Sequence, residues 1–239
     1  MKPEVNLPRG TSSAFQAALK TDSFEKPIQG TTVKIILGDI TKVKCDAYVV
    51  PQFTSAASYG GVGGAVARSG GLKGLEAYDK FVQQKGEQPF GKILLTPSGG
   101  GNSKSLLHVV SVGSGEDNEF NTIQTAFYNV LKLAQEQGIQ SIAAPALGTG
   151  MIGRLTDKQS ANAMLSAIHQ FAKEGGNLDV SIVIYGSKPA HVDFIETLEL
   201  GQFEAAKDES GKKDINLADW VEGMSRDAKA NRKFRTEQN

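Results

Sequence analysis

Pro145-Ala146-Leu147-Gly148-Thr149-Gly150-Met151-Ile152-Gly153 ends a short apolar run, Ser141 to Ala146, and leads into a long helix-like stretch that begins near Asp157. Three glycines fall within the six residues from Gly148 to Gly153. The order implied is strand, bare loop, helix. Glycine has no Cβ, so its amides can come close to an anion and its φ can turn positive. A second cluster, Gly60-Gly61-Val62-Gly63-Gly64, follows another apolar run upstream. Two such loops in one α/β domain predict a phosphate-bearing ligand held between them.

The flanking sequence supplies the rest of the domain. Thr156-Asp157-Lys158-Gln159 has the spacing of a capping box, and Ala161, Met164, Leu165, Ile168 and Phe171 then recur on one helical face. Glu119 to Gln137 places Ile123, Phe127, Val130, Leu131 and Ala134 on one face and stops at Gly138. Leu72 to Lys85 repeats the helical period and stops at Gly86. Strands are predicted at Val33–Leu37, Ala47–Val50, Ile93–Leu95, Leu106–Val112, Ser141–Ala144 and Val180–Tyr185, and Ser187-Lys188-Pro189 opens a helix through Leu198. Strands alternating with helices over residues 31–200 predict a three-layer α/β/α sandwich with a mixed, largely parallel central sheet. In such folds ligands bind beyond the carboxyl ends of the strands, where both glycine stretches fall.

The ends of the chain read differently. Residues 1–30 are polar, with Pro3, Pro8 and Pro27 and one amphipathic piece around Phe15 to Leu19, and are expected to form an extension. Residues 201–239 are polar, with the isolated apolar residues Leu217, Trp220 and Met224. Two readings stand for this segment: a solvated, partly helical or disordered extension, or a docking segment anchored by Trp220. Its eight basic and eight acidic residues after Phe203 exclude a tail of one charge.

Composition narrows the function. The 239 residues carry 26 basic and 26 acidic side chains, a balance that gives no case for general nucleic-acid binding. No run approaches the ~20 apolar residues of a membrane span. The N-terminus lacks the apolar core of a secretory signal, so a cytoplasmic protein is expected. One cysteine, Cys45, rules out an internal disulfide and a cysteine-rich zinc site; its apolar setting predicts a buried, inert thiol. His108, His169 and His191 are not spaced as metal ligands. No metal or other cofactor is implied.

Four stretches, taken in order, resemble the macrodomain family of ADP-ribose-binding modules. They are Gly38-Asp39-Ile40-Thr41 with the strand Cys45-Asp46-Ala47-Tyr48-Val49, Gly60 to Val66 continued by Arg68-Ser69-Gly70-Gly71, Leu107-His108-Val109-Val110, and Pro145 to Gly153. The likeness spans residues ~31–198. It implies a cleft for ADP-ribose or an ADP-ribosylated protein. Asp39, with Ile40 beside it, would accept a hydrogen bond from the adenine amino group, or would merely cap a turn. Tyr185 would stack on the base, or would be a core aromatic at a strand end. Gly148, Thr149, Gly150, Met151 and Ile152 would wrap the diphosphate from one side. Gly60, Gly61, Val62 and Gly63 would approach the diphosphate and distal ribose from the other. Arg154 reads as a solvated surface arginine.

The chain departs from the family around the distal ribose. Hydrolytic macrodomains usually carry Asn-Ala-Ala-Asn after the second of these strands; an ungapped match puts Val50-Pro51-Gln52-Phe53 there. Phe53 then stands where the ribose-contacting asparagine would, and a phenyl ring cannot orient a hydroxyl or a water. Tyr59 replaces a usual glycine, Gly63 a small or acidic residue, and Ile152 an aromatic. The leading expectation is a binding module. The alternatives are a hydrolase acting on ADP-ribosylated protein, or an ADP-ribose phosphate phosphatase, with a non-standard site drawn from Gln52, Thr54, His108 or Asp117. A further alternative is a non-binding scaffold that uses residues 201–239 to hold a protein partner.

Overall fold

The computed structural model describes residues 20–112, 119–151 and 153–201. The chain divides into a compact unit through Ala205 and a second unit from Ala206. Phe15, Asp117, Ile152 and the Trp220 segment lie outside the described residues.

Seven strands form one sheet: β1 (Ser23–Ile28), β2 (Thr31–Leu37), β3 (Cys45–Phe53), β4 (Ile93–Pro97), β5 (Ser103–Val112), β6 (Ser141–Pro145) and β7 (Asp179–Ile184), in the order β1-β2-β7-β6-β3-β5-β4. The five inner strands run parallel, and the edges β1 and β4 are antiparallel to their neighbours. The sheet therefore starts before residue 31. Ser23–Ile28, in the segment expected to be an extension, pairs with Thr31–Ile36 of β2. Pro27 sits there without harm because an edge strand leaves some N–H positions unpaired.

Among the described residues five helices complete the layers: α1 (Gly61–Val66), α2 (Leu72–Lys85), α3 (Glu119–Glu136), α4 (Asp157–Lys173) and α5 (Lys188–Leu200). The apolar faces of α3 and α4 are the predicted ones. Ile123, Phe127, Val130, Leu131 and Ala134 of α3 are fully buried, as are Ala161, Met164, Leu165 and Ile168 of α4. The capping box at Thr156 and Gln159 is formed in both directions, satisfying two orphan donors at the start of α4.

The Asp46-Ala47 pair gains a structural reason. Asp46 Oδ2 accepts from Gln140 N, Ser141 N and Ser141 Oγ, and Oδ1 from Lys104 Nζ at 2.8 Å. One carboxylate thus ties the start of β3 to β6 and β5, and the Lys104 bond holds its pKa below the ordinary range. Cys45 is half-buried and donates to Ala47 O, and burial pushes its thiol up to about 12, as an inert thiol requires. Val33 and Ile35 are fully buried, whereas Thr32, Lys34 and Ile36 on the other face of β2 are only half-buried. There a groove of about 420 Å³ runs over the amino-terminal half of the sheet.

Because β2, β7, β6 and β3 are parallel neighbours, their carboxyl ends share one rim of the sheet. Asp39, Tyr185, the Ala146–Met151 loop and the segment before Gly60 all leave from that rim.

Candidate functional site

The loop after β6 is held by its carbonyls. Thr149 Oγ1 donates to Ala146 O at 3.0 Å, Leu155 N to Gly148 O at 3.1 Å and Gly153 N to Gly150 O at 2.8 Å. Leu147 is pinned beneath, its amide to Met164 Sδ and its carbonyl to Ser160 Oγ. Among the described residues none of these contacts uses the amides from Gly148 to Met151, which suit an anion. The three glycines have different tasks. Gly148 has φ 80°, and a Cβ on Gly153 would lie 2.0 Å from Gly148 O, so these two let the loop close on itself. Gly150 has nothing within 4 Å of an added Cβ, so its bareness serves no packing need. Met151 is fully exposed and Arg154 is exposed, its amide held by Glu119 Oε2 at 2.9 Å.

The first glycine cluster is not the loop that its composition predicts. Gly60 is the N-cap of α1, and the helical path continues through a π-type turn, Ala67–Gly71, into α2. Gly70 breaks that path with φ 115°. A Cβ on Gly63 would lie 1.7 Å from Ser58 O, and one on Gly64 2.4 Å from Tyr59 O. These two are glycine because the preceding segment crosses the helix in contact with its backbone. Gly60 and Gly61 meet nothing within 4 Å, and with half-buried Val62 they present the open first turn. The amides of that turn have no intrahelical partner and suit an anion.

At the other end of the rim, Gly38 N donates to Ile184 O at 2.8 Å, so the register of β2 and β7 brings Asp39 beside Tyr185. Tyr185 is 83% exposed, which excludes a core aromatic. Asp39 caps the 3-10 turn Ile40–Lys42: its Oδ1 accepts from Thr41 N at 2.9 Å and Thr41 Oγ1 at 2.8 Å. Those bonds, the amide first, hold its carboxyl below the usual range, so it is an ionised acceptor at neutral pH. Both fall on Oδ1. Capping the turn therefore leaves Oδ2 for a ligand donor. Ile40 is buried beneath the rim.

The end of β3 is braced from below. Its pairing with β5 shifts register between Gln52 and Phe53. Gln52 is fully buried; its Oε1 accepts from Ser58 N at 2.6 Å and its Nε2 reaches His108 Nδ1 at 2.8 Å. His108 is fully buried, bonded through Nε2 to Thr96 Oγ1 at 2.8 Å, and burial pushes its pKa down to about 3. Its ring stacks on Tyr78, with centroids 5.2 Å apart, and Tyr78 Oη donates to Phe53 O at 2.7 Å. Asp79 grips the next stretch, accepting from Ala57 N at 2.7 Å and Tyr59 Oη at 2.6 Å. Gln52 and His108, both expectations for an unusual base or water holder, are thus enclosed with their polar atoms engaged. Thr54 is half-buried, its carbonyl taken by Gln88 N. Among the described residues no group of three or more His, Cys, Asp or Glu is placed to hold a metal.

A family model described as Macro domain matches residues 54–164. An O-acetyl-ADP-ribose deacetylase of Escherichia fergusonii is 38% identical over 123 residues, covering 51% of this chain and 70% of that protein. The chain belongs to the macro domain family. An uncharacterized protein of Pyrobaculum aerophilum extends the likeness, at 32% identity over 73% of this chain and 95% of its own. Among solved structures, the Oceanobacillus iheyensis macrodomain with ADP superposes with a TM-score of 0.67 at 26% identity, covering 74% of this chain and 95% of that one.

In this macro domain Tyr78, Asp79 and Glu119 have bracing roles that the sequence does not mark. Tyr78 and Asp79 sit within the α2 pattern, where they read as one core and one surface position. Glu119 reads as an ordinary acidic residue in a first helical turn, and its partner, the Arg154 amide, lies 35 residues further along the chain.

Proposed function

We propose that this macro domain binds ADP-ribose, free or as a protein-linked group, across the carboxyl rim of β2, β7, β6 and β3. The observation that carries the reading is the convergence on one rim of an ionised acceptor, an exposed aromatic and two sets of unencumbered glycine amides. Asp39 Oδ2 accepts from the adenine amino group beside Ile40, and Tyr185 covers the base. Gly148, Thr149, Gly150, Met151 and Ile152 take the diphosphate from one side, and Gly60, Gly61, Val62 and Gly63 take the diphosphate and distal ribose from the other. Amides aimed at two phosphates need no lysine. The single thiol and the lack, among the described residues, of a helix long and apolar enough to cross a membrane fit a cytoplasmic setting.

Calorimetric titration with ADP-ribose tests this. Asp39→Ala should weaken binding about tenfold, or about 1.4 kcal/mol; equal affinities would remove the adenine contact.

The deacetylase relative favours a second reading, hydrolysis of an acyl or ADP-ribosyl ester. Against it, Phe53 offers no hydrogen bond to a ribose or a water, and His108 and Gln52 are enclosed. Binding without turnover is the better reading. Release of acetate from O-acetyl-ADP-ribose, or of ADP-ribose from modified protein, at rates well above those of a denatured control would replace it with the hydrolase. A partner role for residues 201–239 is a separate proposal, tested by pull-down with and without that segment.

A further inference from the structure

The buried polar chain beneath β3 does more than satisfy its own atoms. It begins at Thr96 in β4, passes through His108 in β5 and Gln52 in β3, and ends on the backbone of Ser58 in the segment that crosses α1. Its directions are fixed. Ser58 N can only donate, so Gln52 must present Oε1 to it and Nε2 to the ring. His108 Nδ1 then accepts, and its Nε2–H donates to Thr96 Oγ1. Thr96 lies 3.5 Å from Gly74 O in α2, to which its hydroxyl can donate.

The far end of this chain meets the rim through Ser58. Its amide is bound by Gln52, while its carbonyl lies against Gly63 with no room for a single Cβ. The position of Ser58 therefore sets the position of the first turn of α1. Beside it Tyr78 stacks on His108 and holds Phe53 O. The two residues that flank the register shift are thus tied, through separate bonds, to one stacked pair.

We propose that Gln52, His108 and Thr96 are positioning residues: together they fix Ser58, and through it the Gly60–Gly63 turn, at the spacing that accepts the distal ribose of ADP-ribose. This rests on the ligand reading above, and it assigns the distal-ribose preference to residues that never touch the ligand. ADP and ADP-ribose share the adenine and the diphosphate and differ in the distal ribose. A loosened turn therefore costs affinity for ADP-ribose and spares ADP.

The test uses the full chain as wild type, Gln52→Met and Thr96→Val. Gln52→Met keeps the volume and removes both hydrogen bonds. Thr96→Val cuts the chain at its far end and serves if Gln52→Met does not fold. Two readouts are taken, titration with ADP-ribose and ADP, and amide hydrogen exchange without ligand. In Gln52→Met the Kd for ADP-ribose should rise about tenfold, as loss of a buried hydrogen bond implies, with the Kd for ADP changed less than about twofold. Thr96→Val should shift the same ratio in the same direction by less. Exchange at Ser58 should quicken while Val49 and Leu107 in the sheet stay protected. Equal loss for both ligands, or exchange rising across the whole sheet, would reduce the chain to a stability role and overturn the proposal. Unchanged exchange at Ser58 would overturn it whatever the ligands do. Failure of wild type to bind either ligand would sink the functional reading and the ribose preference together, leaving the exchange data to decide whether the chain positions Ser58.

Discussion

Tyr185, at one end of the rim, is 83% exposed, and its neighbour Asp39 is held by the turn it caps. Gln52, beneath the other end, is fully enclosed and bonded on both sides. The first end would recognise a ligand with side chains that reach outward from strand ends. The second would do so with backbone amides, whose placement depends on a buried network reaching back to β4. Side-chain recognition can be altered without disturbing the fold. Backbone recognition is altered either from beneath, through the buried groups that place Ser58, or directly at the open glycines Gly60 and Gly150.

Acid should expose this difference most strongly. His108 titrates near 6.5 when unfolded and near 3 when folded. Above pH 6.5 both states are neutral and the packing of His108 contributes in full. As pH falls from 6.5 toward 3 the unfolded chain takes up a proton that the folded chain refuses, so stability falls by on the order of 4 kcal/mol across that window. His169 and His191 are shifted the same way and add to the slope. Urea unfolding at a series of pH values should show the decline. His108→Asn, though less stable at pH 7, should show a shallower one, and an unchanged slope would detach the decline from this ring.

Gly63→Ala is next in size. Its Cβ would meet the Ser58 carbonyl at 1.7 Å, so α1 and the crossing segment must separate; a loss of about 3 kcal/mol is expected by chemical denaturation, in the range of severe overpacking. A loss under 1 kcal/mol would mean that the segment yields easily. Tyr185→Ala should leave the melting temperature unchanged and weaken ADP-ribose by about 1–3 kcal/mol, the range measured for base–aromatic stacking. An unchanged Kd would leave the base uncovered by Tyr185. Gly60→Ala should be nearly silent in stability, within about 0.5 kcal/mol, because nothing lies within 4 Å of the new methyl. Its effect should fall on ligand affinity alone, and a stability loss as large as that of Gly63→Ala would erase the distinction between open and packed glycines.

Much of the fold was legible because its helices are long and strongly periodic. Leu72–Lys85 and the α4 start at Asp157 were predicted where the structure has them. β1 was not, since SFEKPI carries a proline and two charges and gains strand character only by pairing along β2. Gly60–Gly64 read as a loop because glycine disfavours helix; what keeps glycine at 63 and 64 is contact with the Ser58 and Tyr59 carbonyls, which no local pattern records. His108 was named as a candidate for an unusual base or water holder, and it lies fully buried. Its union with Gln52 and Thr96 depends on the lateral register of three strands, which are separated in sequence by α1 and α2 and by a hairpin turn. Asp39 and Tyr185 were nameable for the opposite reason, since each sits one or two residues past the end of a well-marked strand.

The central claim is that one rim holds ADP-ribose by an adenine-facing carboxylate at one end and glycine amides at the other. Isothermal titration of wild type, Asp39→Ala and Gly150→Val with ADP-ribose at neutral pH tests it most directly. Wild type should bind measurably, Asp39→Ala about tenfold more weakly, and Gly150→Val with at least as large a loss and no change in melting temperature. Wild type that gives no heat and no thermal shift with ADP-ribose, or variants that bind as tightly as wild type, would contradict it.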